Sequence, residues 1–259
     1  MHFLLPADPF AATTPDAAYA DEAIALRERG CGVSLFSFED FESGAFKPRP
    51  ALPAAAEVIY RGWMLNVANY TRLQESVASC GAQLRTSAAH YRRCHSLPEW
   101  YAACADLTPK TLFAAEGDDY AALVASTEWR SYFVKDHVKS LTTARGSVAH
   151  AAAEIAEIVA LIRQYRGHVE GGICIREYVD LRPESEQRFF VINGTAFASA
   201  GMPPAIVEDV ARRIESPFFS VDVARTMDGK PIVIELGDGQ VSDRKDWPVD
   251  RFAAILCAE

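Results

Sequence analysis

Strand-like and helix-like patterns alternate along the first ninety residues of this chain, and after Pro109 the alternation gives way to a succession of strands. That change limits the fold more than any single motif does. Alternating elements build a parallel sheet with helices on its faces, whereas consecutive strands build an antiparallel one. The apolar run HFLLPA at 2–7 reads as a strand, and residues 16–29 carry apolar side chains at helical spacing before Gly30. Two more runs, CGVSLFSF at 31–38 and EVIYRGW at 57–63, are rich in β-branched and aromatic residues, with the proline-rich KPRPALP at 47–53 between them. An amphipathic helix at 66–80, stopped by Gly81, and a short strand QLRTS at 83–87 complete the pattern. No Gly-x-Gly-x-x-Gly follows the first strand, which removes the main support for dinucleotide binding.

Residues 1–105 therefore read as an α/β lobe, and residues 106–259 as an α+β region with an antiparallel sheet. In the second region KTLFAA at 110–115 and SYFVKDHVKS at 131–140 are expected strands, with a short helix at 118–126 between them. LTTARGSV at 141–148 is small and polar and reads as a loop. Residues 148–165 form an amphipathic helix with Ile155, Ile158, Val159 and Ile162 on one stripe. Strands follow at 172–179, 186–192, 218–224 and 232–236, with a helix at about 204–215.

Charge and cysteine usage exclude several function classes. The 259 residues carry a net charge of −9, a field that repels polyphosphate backbones, so bulk nucleic-acid binding is not expected. No apolar run approaches the ~20 residues that span a bilayer, and MHFLLPADPF lacks the basic start of a secretory signal. The six cysteines are far apart, with no Cys-x-x-Cys, and are expected as reduced thiols in a cytoplasmic protein. Cys94 with His95 has no partner at metal-ligand spacing.

Three segments carry chemistry. If SYFVKDHVKS stays extended, Lys135, His137 and Lys139 share a face, and the two ammonium groups either meet an anion or protect a solvated edge. In EQRFFVI, Arg188 stands among large apolar residues, either against a carboxylate or aimed at an anion such as phosphate. The third segment is FFSVDVARTMDGKPIVIELGDGQVSD at 218–243, where Asp228-Gly229 signals a two-residue hairpin turn. That register sets Asp222 directly opposite Glu235, and opposed carboxylates repel unless something compensates. A divalent cation with oxygen ligands is the simplest candidate; arginine shielding or solvation is the other.

These segments, from about Pro109 to Trp247, resemble the ATP-grasp superfamily, and within it the clade named for one arginine and two lysines. The resemblance is closest in YFVKDHVKS, ICIREYV, EQRFFV, FFSVDVA and IELGDGQVSD, while the first hundred residues resemble the preceding α/β lobe by pattern alone. It implies that Lys135 and Lys139 contact the phosphates of ATP and that Arg188 faces the γ-phosphate or an acyl phosphate. The segment holding Glu177, Tyr178 and Val179 would be the hinge that holds adenine and ribose, and residues 141–148 the loop closing over the triphosphate. Asp222 and Glu235 would hold Mg2+, with Asp238 or Gln240 supplying a further oxygen, since Gly237 stands where many members carry asparagine.

The function implied is ATP-dependent ligation of a carboxylate to an amine or thiol through an acyl phosphate, on small-molecule or peptide substrates. Kinase-like phosphoryl transfer and a non-catalytic nucleotide-binding module are the alternatives. Arg61, at the end of a strand in the first lobe, is read either as a substrate carboxylate binder or as half of a buried ion pair.

Overall fold

A computed structural model describes residues 1–140 and 143–258. The chain divides into two units, each assembled from separate stretches of sequence. The first contains Met1–Cys94, Arg188–Val221 and Gly237–Glu259; the second contains His95–Gln187 and Asp222–Leu236.

In the first unit β1 (His2–Asp8) is the central strand of a parallel sheet. It pairs with β3 (Gly32–Phe36) on one side and β4 (Glu57–Tyr60) on the other, and β4 pairs in parallel with β5 (Gln83–Leu84). Side chains alternate between faces, so Phe3, Leu5 and Ala7 enter one core with Ala23 and Leu26, while Leu4 enters another with Tyr60, Tyr70 and Leu73. Burial on both faces explains why HFLLPA is a continuous apolar run. The covering helices include α1 (Ala20–Glu28), α2 (Phe38–Glu42), α3 (Val67–Ser79) and α4 (Ala88–His95). Asn66 caps α3 by accepting the Asn69 N–H at 2.8 Å.

A strand β2 (Ala11–Pro15) runs antiparallel to β1, an addition that its small polar residues did not announce. Cys80, Cys94, Cys104 and Cys174 are free thiols among the described residues, and Cys31 and Cys257 are brought side by side with Cα atoms 6.8 Å apart. Their 226-residue separation carries no signal in the sequence.

The second unit opens with α5 (Leu97–Cys104) and holds an antiparallel sheet in the order β6-β9-β7-β8. Its strands are β6 (Thr111–Ala114), β7 (Tyr132–Asp136), β8 (Val148–Ala149) and β9 (Ile173–Glu177). Val134, Ile173 and Ile175 pack with Ile155, Ile158, Val159 and Ile162 of α7 (Ala153–Arg166), and with α6 (Tyr120–Val124).

The strand expected at 131–140 stops at Asp136. The Asp136 carboxylate accepts from the N–H of Val138 at 2.8 Å and of Lys139 at 2.6 Å, an aspartate turn that sends the chain back so that Ser140 bridges to Lys135. Lys135, His137 and Lys139 therefore do not share a strand face.

A further sheet has the order β11-β10-β12-β13, formed by β10 (Gln187–Ile192), β11 (Thr195–Phe197), β12 (Phe218–Arg225) and β13 (Pro231–Asp238). The helices α8 (Ala205–Arg213) and α9 (Val249–Cys257) belong to the first unit. The turn between β12 and β13 is a three-residue loop, corrected from two. Gly229 N–H donates to Thr226 O at 2.8 Å, Thr226 N–H donates to Lys230 O at 2.9 Å, and Gly229 takes φ 91°. The ladder starts one residue out of step at Thr226 with Lys230, while its far end, where Gly239 N–H donates to Phe218 O at 3.2 Å, keeps the register that sets Asp222 opposite Glu235.

Candidate functional site

Pairing of β7 with β9 sets Lys135 opposite Cys174 and Phe133 opposite Arg176, which places all four on one face of the sheet. The opposite face is the apolar one against α7, so the charged face is the one left for chemistry. Two of its cations are held by β13. Lys135 Nζ donates to Glu235 Oε1, with the lysine side chain 5% exposed and the glutamate 41%. Arg176 Nη1 donates to Ile234 O at 2.8 Å and Nη2 to Thr108 Oγ1 at 2.6 Å, while its Nε has no hydrogen-bond partner. Thr108 Oγ1 in turn donates to Val233 O at 2.8 Å. Burial lowers the Arg176 pKa, and the charge of Glu235 partly offsets it.

Beside this cationic face lies a slot of about 220 Å³. Pro109, Phe133, Leu181 and Ile234 supply its apolar walls, and Arg176, Glu177, Tyr178 and Val179 one side. A flat heteroaromatic fits such a site, which joins apolar walls to backbone and a few convergent polar groups. Glu177, Tyr178 and Val179 are thus brought together with Lys135 and Glu235 in one unit. Lys139 is exposed, its backbone tied to Asp136. Arg176 and Thr108 were missed by sequence reasoning, although an arginine in the otherwise apolar ICIREYV was the same kind of signal that singled out Arg188.

The metal expectation changes in part. Glu235 is compensated by Lys135, and Asp222 is buried on the neighbouring strand β12. Among the described residues no three His, Cys, Asp or Glu gather as a metal cage. Two carboxylates on adjacent strands still fit a hard cation that takes its remaining ligands from phosphate and water, as Mg2+ does. The expected loop at 141–148 is described only from 143 onward; Leu141 and Thr142 lie outside the described residues. In its described part Arg145 pairs with Glu154 at 2.7 Å and donates to Val148 O at 2.7 Å.

The remaining expected residues belong to the first unit. Arg188 donates from Nη1 to Asp243 Oδ1 at 2.9 Å and to Asp243 O at 3.0 Å, and the Asp243 side chain is 78% exposed. The carboxylate reading of Arg188 is the one seen. Arg61 is likewise half of a buried ion pair, with Nε on Glu22 Oε2 at 2.9 Å and Nη2 on Glu22 Oε1 at 2.8 Å. Its Nη1 donates to the carbonyls of Gly239, Gln240 and Ser242 at 2.7 to 2.9 Å, which fixes the glycine-rich segment after β13.

In that segment Asp238 accepts from Gln240 N–H at 3.0 Å and Gln240 Nε2 at 3.1 Å, and its Oδ2 has no hydrogen-bond partner. Burial pushes the Asp238 pKa up to about 7, against the two Gln240 hydrogen bonds and the charge of Arg61. Gly237 has a steric cause. A Cβ there would stand 2.8 Å from Ser242 Oγ and 2.9 Å from Ser220 Oγ, which bond each other at 2.7 Å, so an asparagine has no room.

His95 gives the second unit a pH dependence. Burial, reinforced by the ammonium groups of Lys139 and Lys135, lowers its pKa from 6.5 to about 4. Between those values the unfolded chain binds the proton and the folded one does not, so stability is present above pH 6.5 and is lost as pH falls through 4. His95→Gln is expected to flatten this acid limb in urea melts run from pH 7 to 4; an unchanged slope would refute the assignment.

The sequence matches a family model described as an ATP-grasp domain, family 3 of the clade named for one arginine and two lysines, over residues 65–256. No curated protein sequence matches it. Among solved structures it is similar to the D-cycloserine synthetase DcsG, with a TM-score of 0.65 and 17% identity over 100% of this chain and 99% of that one. A RimK domain ATP-grasp protein from Sphaerobacter thermophilus gives a TM-score of 0.66 at 18% identity, covering 99% of this chain and 98% of the other. The ATP-grasp ligase PsnB, complexed with a minimal precursor variant, Mg and ADP, gives 0.61 at 14% identity, covering 99% and 98%. At these identities the likeness is one of fold.

Proposed function

Because this chain belongs to the ATP-grasp domains of the one-arginine, two-lysine clade, we propose that it is an ATP-dependent ligase joining a carboxylate to an amine, or to a thiol, through an acyl phosphate. The observation that carries the reading is the cationic face of Lys135 and Arg176 next to the 220 Å³ slot lined by Glu177, Tyr178 and Val179. In this reading the slot receives adenine between Phe133 and Ile234, and Glu177 accepts from the ribose hydroxyls. Lys135 and Lys139 neutralise phosphate oxygens, which the buried Lys135 ammonium does more effectively than the exposed one of Lys139. Arg188 exchanges the exposed carboxylate of Asp243 for the transferring phosphoryl group, whose planar oxygens its fork matches.

Asp222 and Glu235 would hold Mg2+, the ion neutralising charge on the phosphates, whereas Asp238, which does not gather with them into a three-carboxylate group and is turned to Gln240, is left out of the ligand set. Binding would take Glu235 from Lys135, freeing that ammonium for phosphate. The substrate carboxylate oxygen attacks the γ-phosphorus and ADP leaves; the amine then attacks the acyl carbon and phosphate leaves. The chemistry asks the protein for positioning, charge neutralisation and exclusion of water rather than for an unusual nucleophile. The substrates proposed are small or peptide carboxylates and amines, met in the cytoplasm, where ATP is supplied. No helix among the described residues is long and apolar enough to cross a membrane.

ADP release tests the reading, run with pools of carboxylates and with hydroxylamine to trap an acyl phosphate as a hydroxamate. Carboxylate-dependent ADP with a hydroxamate supports it, and formation of AMP with pyrophosphate overturns it. Mg-ATP at about a hundredfold above its dissociation constant is expected to raise Tm by about 5 °C or more, the effect of a ligand that binds only the native state. No shift at millimolar Mg-ATP in scanning calorimetry would remove the nucleotide site.

A further inference from the structure

Away from the residues assigned to the nucleotide, the first unit contains a groove of about 490 Å³ between β11 and α8. β11 is the last strand on its side of the sheet, so one of its edges is unpaired. Asn193 and Gly194, with φ 46° and 76°, form a two-residue turn, which makes Ile192 with Thr195 and Phe190 with Phe197 the hydrogen-bonded pairs. The Val191 and Ala196 pair between them is the non-hydrogen-bonded class, so the N–H and C=O of Ala196 point out of the sheet edge, and Ala196 lines the groove. At the next outward position Arg251 Nε donates to Ala198 O at 2.6 Å, closing that end.

Charge at the groove is left open on both signs. The Arg251 guanidinium lies 5.9 Å from the Trp247 ring centroid, and among the described residues neither Arg251 nor Glu208 has an ion-pair partner. Arg212, also on the groove, is already paired with Asp209. An outward peptide group flanked by one unpaired cation and one unpaired anion matches a peptide, which brings a backbone N–H and C=O together with side-chain charges. A free anion would use the guanidinium and leave the amide edge and Glu208 unmatched.

We propose that this groove binds an extended peptide segment as an added strand on β11, its backbone bonded to Ala196, a carboxylate on Arg251 and an ammonium on Glu208. Main-chain bonds to an edge give such binding its affinity, and flanking side chains its selectivity. The reading stands apart from the nucleotide chemistry, since it needs neither ATP nor the residues assigned to it.

The test is fluorescence anisotropy, without nucleotide, of a fluorescein-labelled dodecapeptide built of valine, glutamate, threonine and lysine in turn. Saturable binding below about 1 mM is expected, weakened at least about tenfold by Ala196→Pro, by Arg251→Gln and by N-methylation of alternate peptide amides. Proline is tolerated on an edge strand where the N–H faces solvent, so the Ala196→Pro chain should keep its circular dichroism. Should it not fold, the N-methylated peptide on the unaltered chain decides the same point. No binding by about 1 mM, or binding that survives both Ala196→Pro and N-methylation, overturns the proposal, the latter because the groove would then read charge alone.

Discussion

Lys135→Met is expected to lower kcat/KM for ATP-dependent turnover by about a hundredfold to a thousandfold, the usual cost of removing one preorganised charge from a developing anion. The fold should survive. Methionine fills nearly the same volume, and the partner left behind, Glu235, has a side chain 41% open to water, so its carboxylate is resolvated at a stability cost below about 1 kcal/mol. Glu235→Gln behaves differently. It leaves the Lys135 ammonium, 5% exposed, with a neutral acceptor, and a weakened bond to a buried charge costs about 1–3 kcal/mol. An uncompensated pair of opposed carboxylates gives the opposite sign, because it gains from losing one charge. Urea melts of the two variants check this asymmetry, and equal losses would show that Lys135 does not depend on Glu235 in solution.

Arg61→Met is expected to cost about 3–5 kcal/mol of stability, the range for breaking a buried ion pair by removing one partner. Glu22 would lose two of its hydrogen bonds, keeping Arg244 Nε at 3.0 Å, and three carbonyls of the segment 239–242 would lose their donor together. Arg61 also stacks 4.8 Å from the Phe252 ring centroid, tying β4 to α9 through one side chain. Lysine cannot replace it, because a single ammonium does not span a bidentate carboxylate and three carbonyls. Denaturant melts give the loss directly, and a change under about 1 kcal/mol would mean that the clamp is not formed in solution.

The parallel and antiparallel sheets were legible because burial of both faces and burial of one face leave different patterns of apolar residues. The helix at Ala153–Arg166 was legible for the same reason, its stripe of Ile155, Ile158, Val159 and Ile162 being the part that packs. Small or mixed elements were not. β2, β11 and α9 leave short or irregular patterns, and the strand from Tyr132 runs on in apolar alternation past the point where Asp136 ends it. Local side-chain hydrogen bonds of this kind do not alter the hydrophobic period, so the period misplaces the boundary.

Of the candidate site, the sequence by itself determined the residue types and the strands that carry them: Lys135 on β7, Glu177 at the end of β9, Asp222 on β12 and Glu235 on β13. Only the tertiary structure decided partners. Which cation meets which carboxylate depends on contacts between residues a hundred or more positions apart, as in Lys135 with Glu235 or Arg61 with Gly239. A one-residue change in the turn at Asp228 and Gly229 was enough to shift the starting register of β12 against β13. Side-chain period is a property of each strand and is written along it, whereas register and ion pairing are set by the energy of packing two strands together, which no single strand contains.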